Sequence, residues 1–151
     1  GVGISNIYYW LSIMTHQEFL NKYLSEKVDY DWAYWFQCTD LAKAYAKEVR
    51  GIKPWTFWGS AKDAKQSTFP WTKIYIPWPW KDLKQGDILI QWPTASNRYG
   101  HVGVVHKADR FGYYLIEENA VTGTGGGSGN DAVRVNYYRR SERSILRFFR
   151  K

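Results

Sequence analysis

Cys38-Thr-Asp-Leu-Ala-Lys-Ala-Tyr-Ala-Lys-Glu-Val-Arg-Gly51 is the stretch on which the architecture turns. Leu41, Tyr45 and Val49 recur at helical spacing with alanines between them, and Gly51 supplies a stop. The spacing predicts a helix that begins on the chain's one cysteine. Upstream, Thr15-His16-Gln17-Glu18 is a capping-box pattern: the threonine oxygen accepts from an early helix N–H and the glutamate reaches back. Phe19, Leu20, Tyr23 and Leu24 follow at helical spacing, so a first helix is expected to run to about residue 26. Residues 61–66 are read as a third, short helix.

Beyond these segments the pattern becomes that of strands. Asp87-Ile-Leu-Ile-Gln-Trp follows a Gln85-Gly86 turn, and Val102-Gly-Val-Val-His and Tyr113-Tyr-Leu-Ile-Glu-Glu flank the turn residues Ala108-Asp-Arg-Phe-Gly112. Val133-Arg-Val-Asn-Tyr and Ile145-Leu-Arg-Phe-Phe complete the set. Helices first and antiparallel-looking strands second make an α+β domain, not a doubly wound one. No internal repeat or domain boundary is visible. The glycine-rich stretch 122–130 is a loop without the Gly-Lys-Ser/Thr ending of a phosphate cradle.

Composition narrows the classes. A chain of 151 residues, 44% hydrophobic and 19% aromatic with 23% charged, suits one domain with a real core. One cysteine excludes a disulfide framework and a cysteine-rich zinc site. No apolar run reaches the roughly 18 residues of a membrane span. The net charge of +7 is uneven: Arg134, Arg139, Arg140, Arg143, Arg147, Arg150 and Lys151 face only Glu142 after residue 131. Such a run is either a solvated edge or a patch for polyanions, anionic wall polymers among them. Residues 1–14 hold no charged side chain and lack the basic opening of a secretory signal, so they read as a leader, a linker, an upstream tail or an added remnant. Residues 15–151 then form the single domain.

Cys38 sits where the helix should begin, and unpaired N–H groups with a partial positive charge there favour a thiolate. A lone cysteine is more often an inert buried hydrophobe. Its company raises its interest. His101 opens a strand after Tyr99-Gly100, and Glu117 and Asn119, two apart, share one face of the next strand while Glu118 points away. If those strands pair, Glu117 or Asn119 holds the imidazole's second nitrogen, completing a nucleophile, base and orienting group. His16 lies in the helix cap, and His106 falls on the opposite strand face from His101.

Five segments in order carry a resemblance. They are Phe36-Gln37-Cys38-Thr39-Asp40-Leu41-Ala42, Trp58-Gly59-Ser60-Ala61-Lys62-Asp63-Ala64, Gly86-Asp87-Ile88-Leu89, Tyr99-Gly100-His101-Val102-Gly103-Val104-Val105 and Leu115-Ile116-Glu117-Glu118-Asn119. Over roughly residues 18–149 the chain resembles the CHAP family (cysteine, histidine-dependent amidohydrolase/peptidase), above all CHAP domains of phage endolysins. Each segment is weak alone; the ordered set is specific. The resemblance implies a papain-like (NlpC/P60-type) cysteine hydrolase fold, with N-terminal helices packed on an antiparallel β-sheet. It implies Cys38 as nucleophile, His101 as general base and later acid, Glu117 as the group orienting His101, and Asn119 as an aid to that orientation or a group that polarises the site. Gln37 is the candidate oxyanion-hole partner of the Cys38 N–H. Where the family usually shows glutamine this chain has Glu118, whose carboxylate is expected to raise the His101 pKa.

The implied reaction is hydrolysis of an amide or peptide bond in Gram-positive peptidoglycan, by an endopeptidase or an N-acetylmuramoyl-L-alanine amidase. The implied setting is phage lysis or a virion tail, with other domains or virion proteins as possible partners. Some endolysin CHAP domains bind calcium with an Asp-x-Asp pair nine and seven residues before the nucleophile and an aspartate two after it. Those offsets land on Asp29, Asp31 and Asp40, with backbone carbonyls near Ala33 and Trp35 as further oxygens. Calcium takes six to eight hard oxygen ligands, and this set approaches that number. No organic cofactor is implied.

Trp32, Trp35, Trp55, Trp58, Trp71, Trp78, Trp80 and Trp92 exceed the indole one core needs, so core packing and groove lining share them. Pro77-Trp78-Pro79-Trp80 reads as an extended loop able to stack on sugars or simply to pack. Two rival readings stand beside the hydrolase: a catalytically minor virion or wall-contact component, and a basic, aromatic module for single-stranded nucleic acid. The latter gives Cys38, His101 and Glu117 no joint role, so a nucleic-acid partner is not expected.

Overall fold

The computed structural model describes residues 13–32, 37–54, 59–70, 72–75, 83–120, 131–140 and 145–151. The first helix, α1 (His16–Tyr23), begins on the expected cap. Thr15 Oγ1 accepts from the Glu18 N–H at 3.1 Å, and Glu18 Oε1 accepts from the Thr15 N–H at 3.4 Å. It ends at Tyr23 and does not reach residue 26. Ser25 adopts φ +69° and donates its N–H to the Val133 carbonyl, while Val133 donates to that of Glu26. Pairing with residue 133 takes the groups another helical turn would use.

The second helix, α2 (Cys38–Glu48), matches its expected span, and Gly51 beyond it takes φ +65°. Its alternation of small and large residues gives it two apolar sides. Ala42 and Ala46 pack with Ile88, Ile90, Val102 and Phe149. Leu41, Ala44 and Tyr45 pack with Phe19, Val104, Ile116 and Val133. The alanines let the helix backbone lie close to the sheet, where bulkier residues would leave it propped away.

Six strands form that sheet: β1 (Lys73–Tyr75), β2 (Ile88–Gln91), β3 (His101–Ala108), β4 (Gly112–Glu117), β5 (Arg134–Arg139) and β6 (Ile145–Arg150). Their order is β1-β6-β2-β3-β4-β5, and every neighbouring pair is antiparallel. Five strands stand where the sequence pattern puts them; the three-residue edge strand β1 was not anticipated. The opposite side of the sheet carries a further cluster, with Leu89, Val105, Tyr113, Leu115, Tyr138 and Phe148 at its centre.

One expectation needs correction. Residues 61–66 form only a single 3-10 turn, Ala61–Asp63. Arg147 Nη1 donates to the carbonyls of Lys62 and Ala64 at 3.0 and 2.7 Å, and Thr68 Oγ1 accepts from the Lys65 N–H, so the groups needed to continue a helix have other partners. Several C-terminal cations, read as a solvated edge or a patch, have partners within the chain. Arg150 holds Asp87 through Nε at 2.8 Å and Nη2 at 2.7 Å, Arg140 donates to the Asp109 carbonyl, and Lys151 donates to the Arg50 carbonyl. With Arg147 they fasten the end of the chain to its middle. Arg134 and Arg139 are exposed, and Arg143 lies outside the described residues.

Candidate active site

Cys38 is the first residue of α2 and is half-buried, whereas His101, opening β3, is 1% exposed. Gly100 turns the chain into β3 with φ +73°, and a Cβ there would stand 3.0 Å from the Gln91 carbonyl oxygen, so glycine allows β3 to begin against β2. His101 Nε2 lies 3.0 Å from Glu117 Oε2. Cys38 is the other group that acts on the ring electrostatically. The sequence left Glu117 and Asn119 open as the group holding the ring; Glu117 does so.

Burial alone would lower the imidazole pKa. The charges of Cys38 and Glu117, with hydrogen bonds to both, outweigh that and raise it to about 10. These neighbours therefore favour the protonated ring. Glu117 is fully buried and is itself anchored: Oε1 accepts from the Tyr138 hydroxyl at 2.6 Å and from Asn136 Nδ2 at 2.7 Å. Sequence reasoning missed both anchors. Two polar-tipped residues two apart on β5 were the available signal, but only the β4–β5 register, Glu117 opposite Arg134, aims them at the carboxylate.

Asn119 takes φ +56° and donates from Nδ2 to Gln37 Oε1 at 3.1 Å. Gln37 is the N-cap of α2, so this bond orients its carboxamide beside the start of the nucleophile helix. Asn119 thereby links the end of β4 to the residue before Cys38.

Asp29, Asp31 and Asp40 each present a carboxylate oxygen within 4.8 Å of the others. Asp40 accepts from the N–H groups of Tyr30 at 3.1 Å and Gln37 at 2.9 Å. Burial pushes its pKa up to about 6, helped by the charge of Asp31 and opposed by those hydrogen bonds and Lys43. Lys43 Nζ pairs with Asp31 Oδ2 at 2.7 Å. Asp29 Oδ1 is buried without a hydrogen-bond partner. Ala33 and Trp35, expected as carbonyl donors, lie outside the described residues.

Glu118 does point away from Glu117, but the expectation that it lifts the His101 pKa is not met: the raising charges there are Cys38 and Glu117. Glu118 instead turns toward the aspartates, where Oε2 accepts from the Val28 N–H. Burial pushes its carboxyl up to about 8 against that hydrogen bond, and the charges of Asp40, Cys38 and Asp29 push the same way as burial.

The remaining histidines form a second centre. His16 Nε2 lies 2.9 Å from His106 Nδ1, and His16 Nδ1 lies 2.7 Å from the Tyr45 hydroxyl. Burial, then the charges of His106 and Arg50, lower the His16 pKa to about 4. Of the tryptophans weighed for core or groove, Trp32 beside Asp31 is 88% exposed and Trp92 past β2 is 50% exposed. Trp35, Trp55, Trp58, Trp71, Trp78 and Trp80 lie outside the described residues, as does the glycine-rich stretch 122–130. Among the described residues no helix is long and apolar enough to cross a membrane.

A thiol at the start of a helix, facing an imidazole and a carboxylate carried on an antiparallel sheet, defines a papain-like α+β fold. Within it the chain belongs to the CHAP domain family, whose sequence pattern matches residues 28–119. It is 35% identical over 112 residues to the endolysin PlyTW of Staphylococcus phage Twort, an alignment covering 68% of this chain and 24% of that protein. It is similar in structure to the endolysin LysIME-EF1, with TM-score 0.70 at 18% identity over 91% of this chain and 64% of the other. Ly7917 superposes with TM-score 0.64 at 20% identity over 90% of this chain and 62% of the other. The chain thus spans about a quarter of the curated relative and less than two thirds of these solved chains.

Proposed function

We propose that this chain is the catalytic domain of a phage lysin that hydrolyses an amide or peptide bond of Gram-positive peptidoglycan. The observation that carries the reading is the buried imidazole of His101, held by Glu117 on one side and turned to the Cys38 sulfur on the other. Proton transfer from sulfur to ring gives a thiolate–imidazolium pair. The thiolate attacks the carbonyl carbon, and the negative oxygen is received by the Cys38 N–H at the helix start with the Gln37 carboxamide beside it. As the C–N bond breaks, His101 gives its proton to the departing amine, leaving a thioester on Cys38. His101 then takes a proton from water, whose oxygen attacks the thioester, and the acid product leaves as the sulfur regains its charge. Glu117 holds the tautomer and balances the imidazolium throughout.

The likeness to PlyTW and LysIME-EF1, both named endolysins, favours action on the wall at lysis over a place in a virion tail. The ion pair of Arg150 with Asp87 removes one C-terminal charge from any polyanion surface, whether for wall polymers or nucleic acid. The test is clearance of a suspension of Gram-positive cell walls, with mass spectrometry of the digest to identify the new ends. A free N-terminal L-alanine marks the amidase, and new peptide termini mark the endopeptidase. A wild-type chain that leaves the walls intact, or a Cys38→Ser chain that clears them equally well, rejects the reading.

Asp29, Asp31 and Asp40 are proposed to bind calcium. Hard carboxylate oxygens gathered within 4.8 Å, with the buried Asp29 Oδ1 unpartnered, suit that ion. When bound, calcium supplies charge neutralisation and a fixed approach to α2 and takes no part in bond making. Asp40, whose carboxylate accepts from the Gln37 N–H, connects this cluster to the residue before the nucleophile. Chelation is expected to lower both the melting temperature and the clearance rate.

A further inference from the structure

Two buried acceptors among the described residues, Asp29 Oδ1 and Glu118 Oε1, lack hydrogen-bond partners in the same part of the molecule. Glu118 has no exposed surface. It follows Glu117 at the end of β4, so strand alternation directs it away from the imidazole, toward Val28 and the segment bearing Asp29 and Asp31. Its Oε2 is engaged by the Val28 N–H, while Oε1 is not engaged. The negative charges of Asp40 and Asp29 act on it directly. Lys43 is ion-paired with this group of carboxylates, through Asp31 at 2.7 Å. A buried carboxylate oxygen with no donor, set among three more carboxylates, calls for a cation or a water that a cation holds.

We propose that Glu118 is the fourth carboxylate of the cation site, accepting through Oε1 from a water bound to the ion. The proposal rests on the calcium reading of the three aspartates. Glu118 stands outside the set whose oxygens lie within 4.8 Å of one another, which places it beyond the inner ligands. It ties the end of β4, which carries Glu117 and Asn119, to the cation loop. Outer partners of this kind commonly change metal affinity by about 10- to 100-fold.

Calorimetric titration of the whole chain with calcium chloride tests this, comparing wild type with Glu118→Gln and with Asp31→Asn. Glutamine keeps the shape and the acceptor for Val28 but removes the charge. The expected result is a Kd weakened about tenfold in Glu118→Gln. Its melting temperature in EDTA should be equal to or above wild type, because glutamine is buried without the cost of either charging or protonating a carboxyl. A Glu118→Gln Kd within twofold of wild type overturns the role of Glu118 and leaves the three-aspartate site standing. No binding by wild type at millimolar calcium overturns both. Should Glu118→Gln fail to melt cooperatively, Glu118→Asp, which withdraws the oxygen by one methylene, is held to the same criteria.

Discussion

His101 and His16 are both imidazoles tied into side-chain networks, and their neighbours drive them in opposite directions. His101, more deeply buried, suffers the larger desolvation yet rises to about 10 because a sulfur and a carboxylate flank it. His16 falls to about 4 because burial is joined by His106 and Arg50, both cationic when charged. Depth of burial therefore does not decide the charge state here; the sign of the nearest ionisable neighbours does. At one centre the protonated ring is favoured; at the other His16 is favoured neutral, in a packing joint between α1, α2 and β3.

The most severe way to break the contrast is to remove the sulfur. Cys38→Ala is expected to cost several decades in kcat, on the order of 10⁴ or more. A proton NMR titration should show the His101 pKa falling as one of its two anions disappears. Glu117→Gln comes next, with an expected loss of about 10²–10⁴ in kcat. It should also move the alkaline limit of activity downward from near pH 10. The sign follows from the raised pKa: the stabilisation due to His101 is full below its unfolded value of 6.5 and is lost as pH rises through about 10. Tyr138→Phe takes one of two donors from Glu117 Oε1 and should cost about 1.5–3 kcal/mol in unfolding free energy, read by denaturant titration.

The smallest effect concerns the second centre. Because the His16 pKa is depressed from 6.5 to about 4, its contribution is present above 6.5 and is lost as pH falls toward and through 4. Glu118 and Asp40, whose carboxyl pKa values are raised, act in the opposite sense: acidification relieves the cost of burying their charges. Melting curves of wild type and His16→Gln from pH 7 to 4 separate these contributions. The gap between the two proteins should shrink on acidification, and a gap independent of pH would refute the assignment.

What could be read in advance was local. The Thr15–Glu18 cap lies within four residues, and the α2 pattern and five strands are periodicities within one element, so sequence carries them directly. The ends of elements were less legible, since α1 stops where Val133 captures residues 25 and 26 from more than 100 positions away. Strand β1 was missed because three residues, two exposed and one half-buried, show no apolar alternation. At the candidate site the ring, sulfur and carboxylate could be named, but Asn136 and Tyr138 required the β4–β5 register. The joining of His16 to His106 was hidden for a similar reason: a bulge between Val105 and Lys107 interrupts the alternation from which the face of His106 would be judged. The bonds of Arg147 are not legible in sequence because its partners are backbone carbonyls, which no residue type announces.

One topological detail bears on biosynthesis. The last strand, β6, lies between β1 and β2, and its Phe149 packs with Ala42 and Ala46 of the helix that begins at Cys38. A nascent chain still holding residues 145–150 inside the ribosome therefore lacks the floor beneath its nucleophile, and β1 has no neighbour to join. The packing around the start of α2 cannot be completed until those residues emerge.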